Sequence, residues 1–302
     1  MVEVAMNINP QDEILHAQIV SITGNPVTST PMMGVGGPGI LKVQGPKGEA
    51  VLKYTTAIEA AFYKDWADIV RHKGLGVPEV YAQGESAGKI WVLMESLPMV
   101  LGHPYTQRLS DQIAYLSVLH SLDQNPIAMA GNLPERSVMW TAQDIDDAAS
   151  LWDDDDAHAL TSFLEMPWPA LTSKKTLISG DPNPTNWGER STGQLVLFDW
   201  AEAAWSHPAY DLAVLCGGFP ENTAVKHVVK QYLDRYEIPT KDDIDQWMSW
   251  VLTAKLVSYV WFAAWWRRGQ MTTAARPGIT MLQNGLLSWI RSIRQKVSPF
   301  VA

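Results

Sequence analysis

The chain has 302 residues, 46% apolar and 18% charged, so it can bury a large core and lacks the composition of a disordered protein. Its formal net charge of -9 repels a phosphate-coated partner, which argues against nucleic-acid binding. Cys216 is the single cysteine, which excludes an intrachain disulfide and a thiolate metal cluster and points to a reducing, cytoplasmic location.

The start, Met1 to Pro10, lacks a basic segment followed by an apolar one and does not read as a signal peptide. Short β-type runs come next, punctuated by glycine. Ile40 to Val43, the turn Gly45-Pro46-Lys47-Gly48, and Ala50 to Tyr54 form a predicted hairpin. A helix opens at Thr56, with Phe62, Trp66, Ile69 and Val70 at helical spacing. Two further strands are expected at Glu79 to Gln83 and Ile90 to Glu95. Beyond Pro98 the pattern is largely helical, with amphipathic helices expected around Leu109 to Leu119, Val225 to Tyr236 and Ile244 to Trp266. The apolar run Val251 to Trp266 is interrupted by Lys255, falls short of a bilayer span and reads as a buried helix, so no membrane partner is expected. The fold class is therefore α+β, with a small, mainly antiparallel-β lobe over 1–97 and a larger, mainly α lobe over 98–302. A hinge is expected at Glu95-Ser96-Leu97-Pro98.

The chemistry concentrates in Leu177-Ile-Ser-Gly-Asp-Pro-Asn-Pro-Thr-Asn186 and Leu195-Val-Leu-Phe-Asp-Trp200. An apolar strand runs into a proline-stiffened loop bearing Asp181 and Asn186, and a second strand ends in Asp199. A hairpin centred between Thr192 and Gly193 would set position 186 directly opposite 199, close enough to share a hard cation. A three-residue loop would slip that register by one and undo it. Phosphoryl transfer needs such parts: oxygen ligands for Mg²⁺, and a carboxylate, here Asp181, to orient the attacking hydroxyl. Lys53, ending its strand, suits a phosphate-holding lysine. Glu59 fits two roles at once, the third position of a capping box with Thr56 and the ion-pair partner of Lys53. Gly34-Val-Gly-Gly-Pro-Gly39 stands where a phosphate-covering loop is expected.

Ser179-Gly-Asp-Pro-Asn-Pro-Thr-Asn186, Phe198-Asp199-Trp200 and Trp205-Ser-His-Pro-Ala-Tyr-Asp-Leu-Ala213 resemble, in order, the catalytic loop, metal-binding motif and following helix start of the aminoglycoside phosphotransferase and choline kinase family. The resemblance implies a bilobal protein-kinase-like fold that uses ATP and Mg²⁺, with Asp181 as catalytic base and Asn186 and Asp199 as metal ligands. It also implies that Asp211 braces the catalytic loop, and that a hydroxylated small molecule is the acceptor: an aminoglycoside or other antibiotic, an amino alcohol or a sugar. Nucleotide-binding candidates are Lys53, Glu59 and the hinge residues Glu95 and Leu97. The family's loop histidine is Ser179 here, which keeps a nucleotide-binding module without turnover as the rival reading. His120 reads as a satisfied core histidine, and Asp153 to Asp156 as a solvated helix start.

Overall fold

The computed structural model describes residues 13–32, 39–101, 108–122, 133–169, 171, 175–236 and 244–297. The glycine-rich segment expected to cover phosphates lies outside them, apart from Gly39. In chain order, α1 (Glu13–Thr23) and β1 (Thr28–Pro31) precede the hairpin of β2 (Ile40–Gly45) and β3 (Gly48–Thr55). A three-part helix follows: α2 (Ala57–Ala61), a π-helical turn (Phe62–Trp66) and α3 (Ala67–His72). Strands β4 (Val80–Ser86), β5 (Lys89–Glu95) and β6 (Met99–Val100) lead to helices α4 (Leu109–Leu119), α5 (Ala142–Ala149) and α6 (Asp154–Leu164). Then come β7 (Thr176–Ile178), β8 (Trp187–Glu189), β9 (Leu195–Leu197) and β10 (Ala204–Ser206). Helices α7 (Ala209–Leu215), α8 (Asn222–Leu233), α9 (Ile244–Arg267) and α10 (Arg276–Val297) complete the chain.

The chain packs as two compact units. The first holds the described residues of Met1–Leu101, Ala130–Leu133 and Thr185–Ala203, and the second those of Gly102–Met129, Pro134–Pro184 and Ala204–Ala302. The hairpin bearing Asn186 and Asp199 thus packs with the N-terminal sheet.

In the first unit five antiparallel strands lie in the order β1-β2-β3-β5-β4. Alternation along β3 decides what each face carries. Ala50 and Leu52 turn to one face, where Trp91 and Leu93 of the neighbouring β5 join Leu15 and Ile19 of α1 in a buried cluster. That packing explains α1, which has little local signal of its own: Leu15 and Ile19 are one helical turn apart, and the sheet supplies the surface they bury against. The opposite face receives Lys53 and the helix 57–72, whose Tyr63 hydroxyl reaches Met94 Sδ of β5 at 3.9 Å.

In the second unit, α9 packs against α5, α7, α8 and α10. Buried residues lie on every side of it, so it is a core helix apolar nearly all round, as its sequence implied. No helix among the described residues is long and apolar enough to cross a membrane. The acidic run begins α6: Asp153 accepts from the Asp156 N–H at 3.1 Å as the N-cap, with Asp154, Asp155 and Asp156 in the first turn, where the helix dipole favours negative charge.

Candidate active site

Because β3 has period two, Lys53 and Thr55 project from the same face, toward the first turn of α2. Thr56 caps that turn through its side chain, which accepts from the Glu59 N–H at 3.2 Å. The Glu59 carboxylate does not return to close the box. It is fully buried and lies 2.6 Å from Lys53 Nζ, accepts from the Thr55 hydroxyl, and accepts from the Trp200 N–H at 3.2 Å. Lys53 Nζ also lies 2.6 Å from Asp199 Oδ1. Burial alone would push the Lys53 pKa down, but the two carboxylates outweigh it and the pKa is raised, so the ammonium is fixed as a cation. Burial, reinforced by the charges of Glu59 and Asp199, holds the neighbouring Tyr63 phenol well above its ordinary value. The structure therefore gathers Lys53, Glu59 and Asp199 in one cluster.

Two backbone irregularities serve this cluster. Asp199 has φ of 64°, a left-handed conformation uncommon outside glycine, at the point where the chain leaves β9. The π-helical turn brings Phe62 flat onto Trp200, with ring centroids 3.8 Å apart and planes 8° from parallel, and both residues are fully buried. Trp200 thus anchors the chain just beyond Asp199 through its ring and through its N–H. Sequence reading quoted Trp200 only as part of a motif; its structural work depends on a partner 138 positions earlier, which local pattern cannot reveal.

The expected pairing of Asn186 with Asp199 does not form. In the β8–β9 hairpin Trp187 faces Leu197 and Glu189 faces Leu195, and the Phe198 N–H donates to the Asn186 carbonyl at 3.0 Å. Asn186 therefore opposes Phe198. The cause is the loop: Ser191-Thr192-Gly193 form a three-residue turn between Arg190, whose N–H donates to the Gln194 carbonyl at 3.0 Å, and Gln194, with the Gly193 N–H donating to the Arg190 carbonyl at 2.9 Å and Gly193 in the left-handed conformation at φ of 82°. A close approach seats the hairpin in its unit, since a side chain at Gly76 would meet the Leu195 carbonyl at 2.2 Å. Asn186 and Asp199 still stand at the same open end of one hairpin, with Asp199 exposing 36% of its side chain and Asn186 buried. An amide and a carboxylate form an oxygen-only donor pair, which suits Mg²⁺, a cation that takes one or two protein ligands and fills the rest of its shell from phosphates and water. Among the described residues no three His, Cys, Asp or Glu gather as a metal-binding group.

At the end of β5 the Glu95 carboxylate is held by Arg190, whose Nε and Nη2 lie 2.7 and 2.6 Å from its two oxygens, and by the Glu79 N–H at 3.1 Å. Burial would raise its pKa, but these donors lower it. The Glu95 side chain is thus held by Arg190 and by the backbone of Glu79. Leu97 follows, half-buried, outside the strand.

The second unit carries Asp181. Both of its carboxylate oxygens accept from Asn183 Nδ2, at 2.8 and 2.9 Å. The loop is held by Asp211 in the first turns of α7: the Ser179 and Gly180 N–H groups each donate to its carboxylate at 2.9 Å, as the resemblance implied. Behind it, His120 Nε2–H donates to Asp211 at 3.1 Å and its Nδ1 accepts from the Tyr232 hydroxyl at 3.0 Å, with all three residues buried. The core-histidine reading holds, and His120 has a further task, fixing the aspartate that fixes the loop. Ser179 meets Asp211 through its N–H; its hydroxyl oxygen is buried and has no hydrogen-bond partner among the described residues.

Comparison with known proteins identifies the family and the fold. The model of the phosphotransferase enzyme family APH matches residues 41–248. Comparison with curated proteins finds no match. A spectinomycin phosphotransferase solved with ADP and spectinomycin superposes with a TM-score of 0.64 at 11% identity, covering 93% of this chain and 98% of the other. The Plasmodium vivax ethanolamine kinase gives 0.60 at 14% identity, covering 96% and 91%, and the choline kinase LicA of Streptococcus pneumoniae gives 0.59 at 16%, covering 93% and 99%. At these identities the likeness is one of fold.

Proposed function

Since the chain belongs to the phosphotransferase enzyme family, we propose that it transfers the γ-phosphoryl group of ATP to a hydroxyl of a small molecule. The observation that carries this reading is the buried Glu59 carboxylate directing Lys53 beside Asp199, an arrangement that phosphate binding requires and that a structural capping box does not.

In this reading Lys53 neutralises the α- and β-phosphates, with Glu59 holding its position. Glu95 and Leu97 meet the nucleotide base through their backbone, because the Glu95 carboxylate is committed to Arg190. Asn186 and Asp199 would hold Mg²⁺, which when bound supplies charge neutralisation at the transferred phosphoryl group. Asp181 orients the acceptor hydroxyl and takes its proton as the new ester bond forms. Asn183, donating to both Asp181 oxygens, and Asp211, holding the loop backbone, keep that carboxylate in one orientation.

Ser179 favours the rival reading, a nucleotide-binding module without turnover. Yet Asp211 grips the loop at this position through the backbone N–H, a contact any residue there other than proline can make. Phosphorus NMR of the products, with ATP offered alongside a panel of hydroxylated metabolites and antibiotics, decides between the readings. A new phosphomonoester signal is expected; nucleotide binding with no acceptor consumed would favour the rival.

A further inference from the structure

Arg190 follows β8 at the turn end of the hairpin whose open end carries Asn186 and Asp199. Each strand of that hairpin has three residues, and a two-stranded hairpin alone is marginal in water, so its orientation must come from neighbours. Backbone bonds supply part of it: Met99 and Val100 of β6 pair with Glu189 and Gly188, and the Leu197 N–H donates to the Gly76 carbonyl at 3.1 Å. Such ladders fix register but tolerate twist. Arg190 adds direction. Its Nε and Nη2 fork the two Glu95 oxygens at 2.7 and 2.6 Å, Nη2 also donates to the Val77 carbonyl at 3.1 Å, and Nη1 donates to the Gln194 side-chain oxygen across the turn at 2.6 Å. A planar two-point contact removes the swivel that a single bond would leave. Glu95 is a fixed reference, since the Glu79 N–H donates to its carboxylate at 3.1 Å while the Glu95 N–H donates to the Glu79 carbonyl at 2.8 Å. Water competes little for the pair, whose side chains are 22% and 16% exposed.

We infer that Arg190 is a positioning residue: by forking Glu95 it aims the β8–β9 hairpin so that Asn186 and Asp199 present their oxygens to one cation. This rests on the reading of those two residues as the Mg²⁺ ligands. Arg190 stands four residues from Asn186, about 13 Å at the rise of a strand, and its guanidinium is turned to Glu95, so it acts through the hairpin rather than on the metal. Over that length a tilt of about 5° displaces the open end by about 1 Å. Mg²⁺ demands near-ideal octahedral geometry, with ligand distances good to about 0.2 Å, so a displacement of that size spoils the donor pair. Lys53 is less exposed to such a tilt, because its partner Glu59 belongs to the helix after β3 and not to the hairpin. Loss of the fork therefore weakens the part of nucleotide binding that depends on the metal and spares the rest.

The test reads binding without turnover. Calorimetric titration with a non-hydrolysable ATP analogue, once with Mg²⁺ and once with a chelator, gives for each protein the gain in affinity that the metal brings. Arg190→Lys keeps a cation beside Glu95 but replaces the fork with a point charge, so it should fold. It is expected to bind the metal-free analogue within about threefold of wild type and to lose about tenfold of the Mg²⁺ gain, the scale seen when a group that orients a metal ligand is changed. Glu95→Gln should lower the gain in the same way, and the double variant should be no worse than the more affected single one, since both act through one fork. It also keeps the question open to measurement if the lysine variant does not fold. Ile19→Val, in the buried cluster that α1 makes with the sheet, serves as the control for lost stability: its unfolding temperature should fall and its gain should not. A wild-type gain in Arg190→Lys, equal losses with and without Mg²⁺, or additive losses in the double variant would each overturn the inference. Loss of the gain in Asp199→Asn but not in Arg190→Lys would sink it alone. Absence of any gain in wild type would sink the metal assignment with it.

Discussion

The Glu59 carboxylate faces Lys53 at 2.6 Å although the sequence around it would equally have let it close a capping box with Thr56. Tertiary structure decides between the two, because β3 delivers a cation to a buried carboxylate that has no water to turn to. Glu59→Ala should therefore cost about 3 kcal/mol in urea denaturation, as expected when one partner of a buried pair is removed. It should also weaken nucleotide binding by about tenfold, because Lys53 is then left to Asp199 alone. Glu59→Gln, which keeps the shape and the Trp200 contact, should recover most of the stability and little of the affinity.

The two N–H groups held by Asp211 predict a different signature. Asn at this position can accept through only one of its terminal atoms, so Asp211→Asn should release either Ser179 or Gly180. Steady-state kinetics should show kcat lowered by about a hundredfold with the KM for ATP changed by no more than about threefold, since a misplaced loop costs orientation rather than nucleotide contacts. His120→Gln should follow in the same direction with a smaller effect.

Removing the metal addresses Asp199. Calorimetric titration with ATP should show tight binding that depends on Mg²⁺ in the wild type and is lost with a chelator. Asp199→Asn should make the affinity nearly independent of Mg²⁺, since it removes the single carboxylate of the donor pair. An undiminished Mg²⁺ dependence in this variant would move the metal ligands elsewhere.

The meeting of Lys53 with Glu59 and the grip of Asp211 on the loop at Ser179 and Gly180 could be read in the sequence, because the motifs that carry these residues are short and local. What could not be read depended on register and on distant partners. Gly193 makes equally good turns in two- and three-residue loops, and one residue of difference moves Asn186 from Asp199 to Phe198. The Trp200–Phe62 stack and the Arg190–Glu95 pair join segments far apart in sequence. Helix α1 was missed because its two buried apolar residues, Leu15 and Ile19, become meaningful only against the sheet. Lys255 was visible as a break in an apolar run, but its burial appears only once α9 is packed.

The pH dependence of stability isolates that lysine. Its pKa falls from 10.5 unfolded to about 8 folded, so below pH 8 both states are protonated and the cost of burying the charge is fully present. As pH rises from 8 toward 10.5 the folded state sheds the proton first, and the chain gains about 3 kcal/mol. Cys216 acts oppositely: burial raises its pKa from 9.0 to about 11, so stability is lost as pH rises through that interval. Wild type should become more stable from pH 8 to 9 and then level off. Lys255→Met should be the more stable protein at pH 7 and should only lose stability above pH 9. Parallel curves for the two proteins, by thermal or urea unfolding, would show that Lys255 is not held as a buried cation.

Asp181 is the residue on which the proposed chemistry turns, and a single-turnover experiment reads it. With an identified acceptor and saturating Mg-ATP, Asp181→Asn should bind nucleotide within about twofold of wild type while phosphoryl transfer falls about a thousandfold, the scale expected for loss of a positioned general base. Equal transfer rates for the two proteins would contradict the assignment of the base and the chemistry built on it.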